Sequence, residues 1–149
     1  MNPAEADIVA NIVGRIRRYY GNAFDADKTV GVIVPYRNQI AMIRKRLEQL
    51  DIPDARRITI DTVERYQGSQ RDVIVYSFTV QSHYQLEFLA ANRFEEDGQI
   101  IDRKLNVAIT RARKQMIITG NRAILSADPI FKSLIKYIEE KGGCIGGTE

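Results

Sequence analysis

With 149 residues, 44% of them hydrophobic, the chain suits one domain with a substantial core. Its 22 Lys and Arg against 19 Asp and Glu leave a net charge of +3, which permits a polyanionic partner without requiring one. A lone cysteine, Cys144, excludes a disulfide framework or cysteine-based metal centre, and no apolar run reaches the ~20 residues of a membrane span or forms a signal-peptide core, so the expected setting is cytoplasmic, with no membrane partner.

Residues 4–20 place Val9, Ile12, Val13, Ile16 and Tyr20 at spacings of three and four, which predicts a helix with one buried face. TVGVIVPY, residues 29–36, is a continuous apolar run ended by proline and predicts a strand covered on both faces. A second helix follows, with Ile40, Ile43, Leu47 and Leu50 on one side, Arg44, Lys45 and Arg46 around the other, and Pro53 as its stop. RITI (57–60), DVIVYSF (72–78) and QMIITG (115–120) predict three more buried strands. Residues 81–102 read as irregular. In LNVAITRAR, Leu105, Ala108, Ile109 and Ala112 fall on one helical stripe and Asn106, Thr110 and Arg113 on a polar line, leaving Arg111 off the buried face near the helix end. A terminal helix is predicted over 129–141 from Ile130, Leu134 and Ile138, and the glycine-rich residues 142–149 are expected to form a flexible tail on a domain of residues 1–141. Four apolar strands interleaved with helices predict an α/β fold, a mostly parallel sheet with helices on both faces.

Ligands of open parallel sheets gather beyond the carboxyl ends of the strands. The loops PYRNQ, DTVERYQGSQ and TVQS are all rich in hydrogen-bonding side chains. No GxxxxGK[ST] phosphate loop is present, nor any Gly-Lys dipeptide, and the acidic run Glu95-Glu96-Asp97 ends no apolar strand as a metal-holding Walker B aspartate would. By its own residues the chain is not a complete nucleotide hydrolase.

Read in order, VGVIVPYRNQ, ITIDTVERYQGSQRDVIVYSF and RKLNVAITRARKQMIITGN resemble the last motifs of superfamily 1 helicases, most closely the 1B branch of nonsense-mediated-decay RNA helicases and replication helicase-nucleases. The opening NPAEA resembles the Asn-x-x-Glu-Ala of the same domains, and the likeness runs over about residues 2–121, with motifs at 30–39, 58–79 and 103–121. The resemblance implies a RecA-like P-loop NTPase fold and the C-terminal half of a two-domain motor. ATP and Mg²⁺ would be shared with, and mainly held by, an N-terminal RecA-like domain. The partner would be single-stranded nucleic acid, DNA ahead of RNA, and polarity by analogy 5′ to 3′. The family's Tyr-Arg motif on the segment that precedes these motifs, which stacks on adenine and touches the γ-phosphate, is not in this chain; Tyr36-Arg37 belongs to the later PYRNQ loop.

Carried over position by position, the resemblance makes Arg111 the catalytic arginine finger, which in phosphoryl-transfer enzymes contributes about 10³–10⁵ in kcat. Gln67, Gly68 and Gln70 would bind nucleotide. The family commonly has an acidic residue at position 70 to bond the ribose, and Gln70 offers only an uncharged amide. Arg37, Gln39, Thr62, Glu64 and Thr79 would face the nucleic acid, chiefly its backbone; Glu64, which cannot donate to phosphate, would couple that side to the ATP side. Arg113 would brace its helix against a carboxylate. The competing class is a motor-inactive module that keeps the fold for nucleic-acid or protein binding. His83 has no partner at ligand spacing, and Glu139-Glu140-Lys141, at a helix end, reads as a solvated charged terminus rather than a nuclease site.

Overall fold

Asn2 opens the first helix: its side chain accepts a hydrogen bond from the Glu5 N–H at 3.1 Å, and Pro3 at the first helical position loses no intrahelical bond. The computed structural model describes residues 2–141 except 53, 67, 68, 80, 91 and 92; the 142–149 tail, Cys144, Pro53, Gln67 and Gly68 lie outside the described residues. Helix α1 (Pro3–Tyr20) ends at Gly21, whose φ of 54° glycine adopts without steric penalty. After it come β1 (Val30–Ile33), α2 (Arg37–Gln49), β2 (Thr59–Asp61), β3 (Arg71–Ser77), α3 (His83–Leu89), β4 (Phe94–Glu96), β5 (Gln99–Ile101), α4 (Arg103–Thr110), β6 (Ala112–Thr119), α5 (Arg122–Leu125) and α6 (Pro129–Glu140).

Strands β2, β1, β3 and β6 form one sheet in that order, and every pairing is parallel. The alternation of side chains along β3 divides the core in two. Val73 and Val75 join Val30, Val32, Val9, Val13, Ile43 and Leu47 on the face covered by α1 and α2. Ile74 and Tyr76 join Ile33, Phe78, Leu105, Ala108 and Phe131 on the face covered by α4 and α6. Each buried Val, Leu, Ile or Phe among them contributes about 1.5–3 kcal/mol when withdrawn from water. The α/β fold, the four parallel strands and the helices on both faces agree with the sequence reading. Among the described residues no helix is long and apolar enough to cross a membrane.

The structure corrects several local expectations. Residues 81–102 are not irregular: they hold α3 and the antiparallel hairpin β4–β5. The hairpin turns at Asp97 and Gly98, both with positive φ (52° and 78°), the pairing a tight primed turn requires. Helix α4 ends at Thr110, so Ala112 and Arg113 belong to β6, not to the helix. Pairing of Arg71 with Ala112 and a 2.9 Å bond from the Arg71 N–H to the Arg111 carbonyl draw that segment into the sheet. Ile109, expected on the buried stripe, is largely exposed, as is Leu50, which caps α2 rather than packing under it. Strand β2 begins at Thr59, because Arg57 lies in a 3-10 turn over Ala55–Arg57.

Candidate functional site

The candidate residues fall at opposite edges of the sheet. Strands β3 and β6 start side by side, which sets Gln70 and Arg111, the residues just before them, next to each other at the amino edge. The Gln70 amide donates to the Thr110 carbonyl at 3.2 Å. Arg111 Nε and Nη2 donate to the Thr110 hydroxyl at 3.2 and 3.1 Å, and that hydroxyl donates to the Val107 carbonyl at 2.7 Å. Among the described residues no carboxylate pairs with the half-buried Arg111. Arg113, expected to brace its helix, lies instead on β6, where its Nε is 3.1 Å from Asp72 and its Nη2 donates to the Lys28 carbonyl at 3.2 Å.

Behind this edge stands a residue the sequence reading passed over. Arg71 is buried, its Nη1 donating to Ser69 Oγ at 2.7 Å and the Gln70 carbonyl at 2.9 Å, its Nη2 to Thr59 Oγ1 at 3.2 Å. Its guanidinium lies 5.6 Å from the Tyr66 ring centroid, and the Tyr66 hydroxyl donates to the Thr59 carbonyl at 2.6 Å. Burial pushes the Tyr66 phenol well above its ordinary value. Gly31 makes room for that ring, since a Cβ there would come 2.4 Å from Tyr66 Oη. Tyr66 and Arg71 thereby anchor the described residues Ser69 and Gln70 against β2.

At the carboxyl edge the loops meet around Glu5. This buried carboxylate accepts from the Thr79 N–H at 2.8 Å, Thr119 Oγ1 at 3.1 Å and the Ser77 hydroxyl, joining α1 to the ends of β3 and β6. Thr79 sits at φ 68°, a left-handed conformation unusual for a β-branched residue, held by that bond. Gln39 is fully buried, its amide closing a reciprocal pair with the Asn2 backbone at 2.9 and 2.8 Å. Thr62 is buried too, so of the five proposed nucleic-acid residues only Arg37 and Glu64 present exposed side chains. Glu64 lies 3.5 Å from Lys104 in the first turn of α4. Burial works to raise the Glu64 carboxyl, but its own backbone N–H, the Thr62 hydroxyl and Lys104 outweigh that and hold it below the usual glutamate range. The sequence does carry a trace of the Glu5 hub: a charged residue stands on the apolar stripe, four residues before Val9 and eight before Val13. It carries none of a second hub, in which Arg93 joins Asp102, the N-cap of α4, to Asp128, the N-cap of α6.

A family model described as an AAA domain matches residues 1–123, covering both edges and all four parallel strands. The chain belongs to that family, as the C-terminal domain of a superfamily 1 helicase. The helicase domain is 32% identical over 154 residues to the MOV-10 helicase of Gallus gallus and 35% identical over 151 residues to RNA helicase Mov10l1 of Mus musculus. It is 31% identical over 144 residues to the DNA replication ATP-dependent helicase/nuclease JHS1 of Arabidopsis thaliana. These alignments cover 97%, 96% and 97% of this chain but only 16%, 12% and 10% of those proteins. Relatives named for RNA and for DNA replication match alike, so nothing in them favours DNA.

Helicases of this family use ATP and Mg²⁺. The donor set at the amino edge, a guanidinium without a carboxylate partner among the described residues beside an amide, fits phosphate and ribose oxygens. It does not fit Mg²⁺: among the described residues no three Asp, Glu, His or Cys side chains converge.

Proposed function

We propose that this helicase domain is the second half of an ATP-driven motor, closing over nucleotide held by an N-terminal RecA-like domain and moving along single-stranded nucleic acid. The observation that carries the reading is the placement of Arg111: a half-buried cation with no carboxylate partner among the described residues, beside Gln70, at the end of a helix rooted at the opposite edge. ATP bound in that interdomain cleft supplies the phosphoryl group, with Mg²⁺ held chiefly by the partner domain. Arg111 neutralises charge on the γ-phosphoryl oxygens, a task for which a planar guanidinium suits better than an ammonium. Gln70 donates to a ribose hydroxyl, Gln67 and Gly68 are assigned to the same nucleotide site by the motif alone, and Arg71 and Arg113 keep this edge in register.

At the carboxyl edge Arg37 receives strand phosphates, while Gln39, Thr62 and Thr79 shape the loops from beneath. Helix α4, about 12 Å long for its eight residues, runs from the Glu64–Lys104 pair to Arg111 and so connects the two edges as one rigid body. In the full-length protein, Arg111→Ala should lower kcat by about 10³–10⁵ and spare nucleotide affinity. Unchanged turnover would return Arg111 to surface decoration and favour the motor-inactive module. Nucleic-acid-stimulated ATP hydrolysis by this chain alone would refute the half-motor reading.

A further inference from the structure

We propose that Tyr84 is a base-stacking residue, taking the face of an unpaired nucleobase from the strand whose phosphates Arg37 receives. The inference rests on the nucleic-acid reading above and adds a contact to its carboxyl edge. Tyr84 is 82% exposed, yet the helix that carries it is firmly tied. Leu86 and Leu89 of α3 are buried in the core, the Tyr36 hydroxyl donates to the Gln85 carbonyl at 2.9 Å, and the Gln81 N–H donates to Gln85 Oε1 at 2.6 Å. An anchored backbone under an exposed ring is the arrangement a stacking platform needs, because no backbone ordering then has to accompany binding.

Its position points the same way. Tyr36 caps α2 and immediately precedes Arg37, so its bond to Gln85 sets the first turn of α3 against the start of α2. The segment entering α3 comes from Thr79, whose left-handed backbone is clamped by Glu5. Tyr19, the more exposed tyrosine at 88%, offers a contrast: it lies at the far end of α1, with its ring edge-on to Tyr20 at 5.7 Å. Tyr137 is likewise engaged, with the Lys141 ammonium 5.6 Å from its ring centroid. Among the described residues no ring or cation is stacked on Tyr84. Every base has a π-face, so such a contact would tolerate any sequence, and it would serve DNA and RNA alike.

The test is fluorescence anisotropy of the chain with labelled oligo-dT and oligo-rU of about 12 nucleotides, and with an abasic sugar-phosphate strand of the same length. Tyr84→Ala should weaken binding to the base-bearing strands by about 5- to 150-fold. Tyr84→Phe and Tyr84→Trp should preserve it, and the abasic strand should bind Tyr84→Ala as it binds wild type. Equal binding of the base-bearing strands by Tyr84→Ala and wild type overturns the stacking role and leaves the nucleic-acid reading standing. So does an equal loss on the abasic strand, or a loss on Tyr84→Phe that matches Tyr84→Ala. Failure of the wild-type chain to bind any of the strands overturns the nucleic-acid reading itself, and this inference with it.

Discussion

Replacing Arg93 with methionine removes the guanidinium that joins the N-caps of α4 and α6 while keeping an unbranched apolar side chain against Phe131. In the native protein Arg93 Nε lies 3.0 Å from Asp102, and its two terminal nitrogens take both oxygens of Asp128, the Nη2 contact at 2.8 Å. The guanidinium also lies 4.7 Å from the Phe131 ring centroid. Side-chain exposures of 12% for Arg93, 7% for Asp102 and 9% for Asp128 mean that the substitution leaves two carboxylates buried without their cation. Breaking a buried pair in this way costs about 3–5 kcal/mol. For a domain of this size that is a fall of about 10–20 °C in Tm, read by calorimetry or circular dichroism.

The pH dependence supplies a second reading of the same variant. Burial works to raise the Asp128 carboxyl, but the hydrogen bonds and charge of Arg93, with the backbone N–H of Phe131, hold it below the ordinary aspartate value. A carboxylate depressed in the folded state stabilises fully above its unfolded pKa, about 3.9, and loses that contribution as pH falls through the lower folded value. Wild type should therefore lose this contribution only below about pH 4. In Arg93→Met burial acts unopposed by that cation, and the loss should begin at higher pH. A Tm within about 2 °C of wild type, with an unchanged acid limb, would refute the assignment of Arg93 as the clamp.

Glu5→Gln keeps the size of the side chain but turns an acceptor for three donors into a group that must itself donate. It should cost about 2–4 kcal/mol in chemical denaturation and release the Thr79 N–H to hydrogen exchange; an unmoved midpoint would count against the Glu5 hub. Gly31→Ala should destabilise by about 1–3 kcal/mol through the clash with Tyr66. That loss should shrink in a Tyr66→Phe background, where the hydroxyl nearest the new Cβ is absent; an equal loss in both backgrounds would place the strain elsewhere.

Much of the fold was legible because buried parallel strands announce themselves as short apolar runs and helices as stripes at three and four. VGVIV and DVIVYS needed no partner to be recognised, and the first and last helices fell within a residue of their observed limits. The hairpin escaped because β4 and β5 are short and exposed and so carry no apolar alternation; only Asp97-Gly98 marked the turn. The boundary between α4 and β6 escaped because Ala112 satisfies the helical stripe as well as it does a strand, and pairing with β3 decided between them.

The sequence by itself determined the fold class, the order of the motifs, the absence of a phosphate loop and the identity of Arg111 as a candidate. Local spacing suffices for the fold class and the missing phosphate loop; the candidacy of Arg111 came from the resemblance of its motif to the superfamily 1 helicases. Tertiary structure alone decided which residues share an edge: that Gln70 and Arg111 meet where β3 and β6 begin, that Gln39 and Thr79 lie beneath the surface, and that Glu5 and Arg93 tie distant segments together. Those contacts join groups 9 to 114 residues apart in the chain, and no local pattern encodes which buried charge will meet which donor once the sheet has closed.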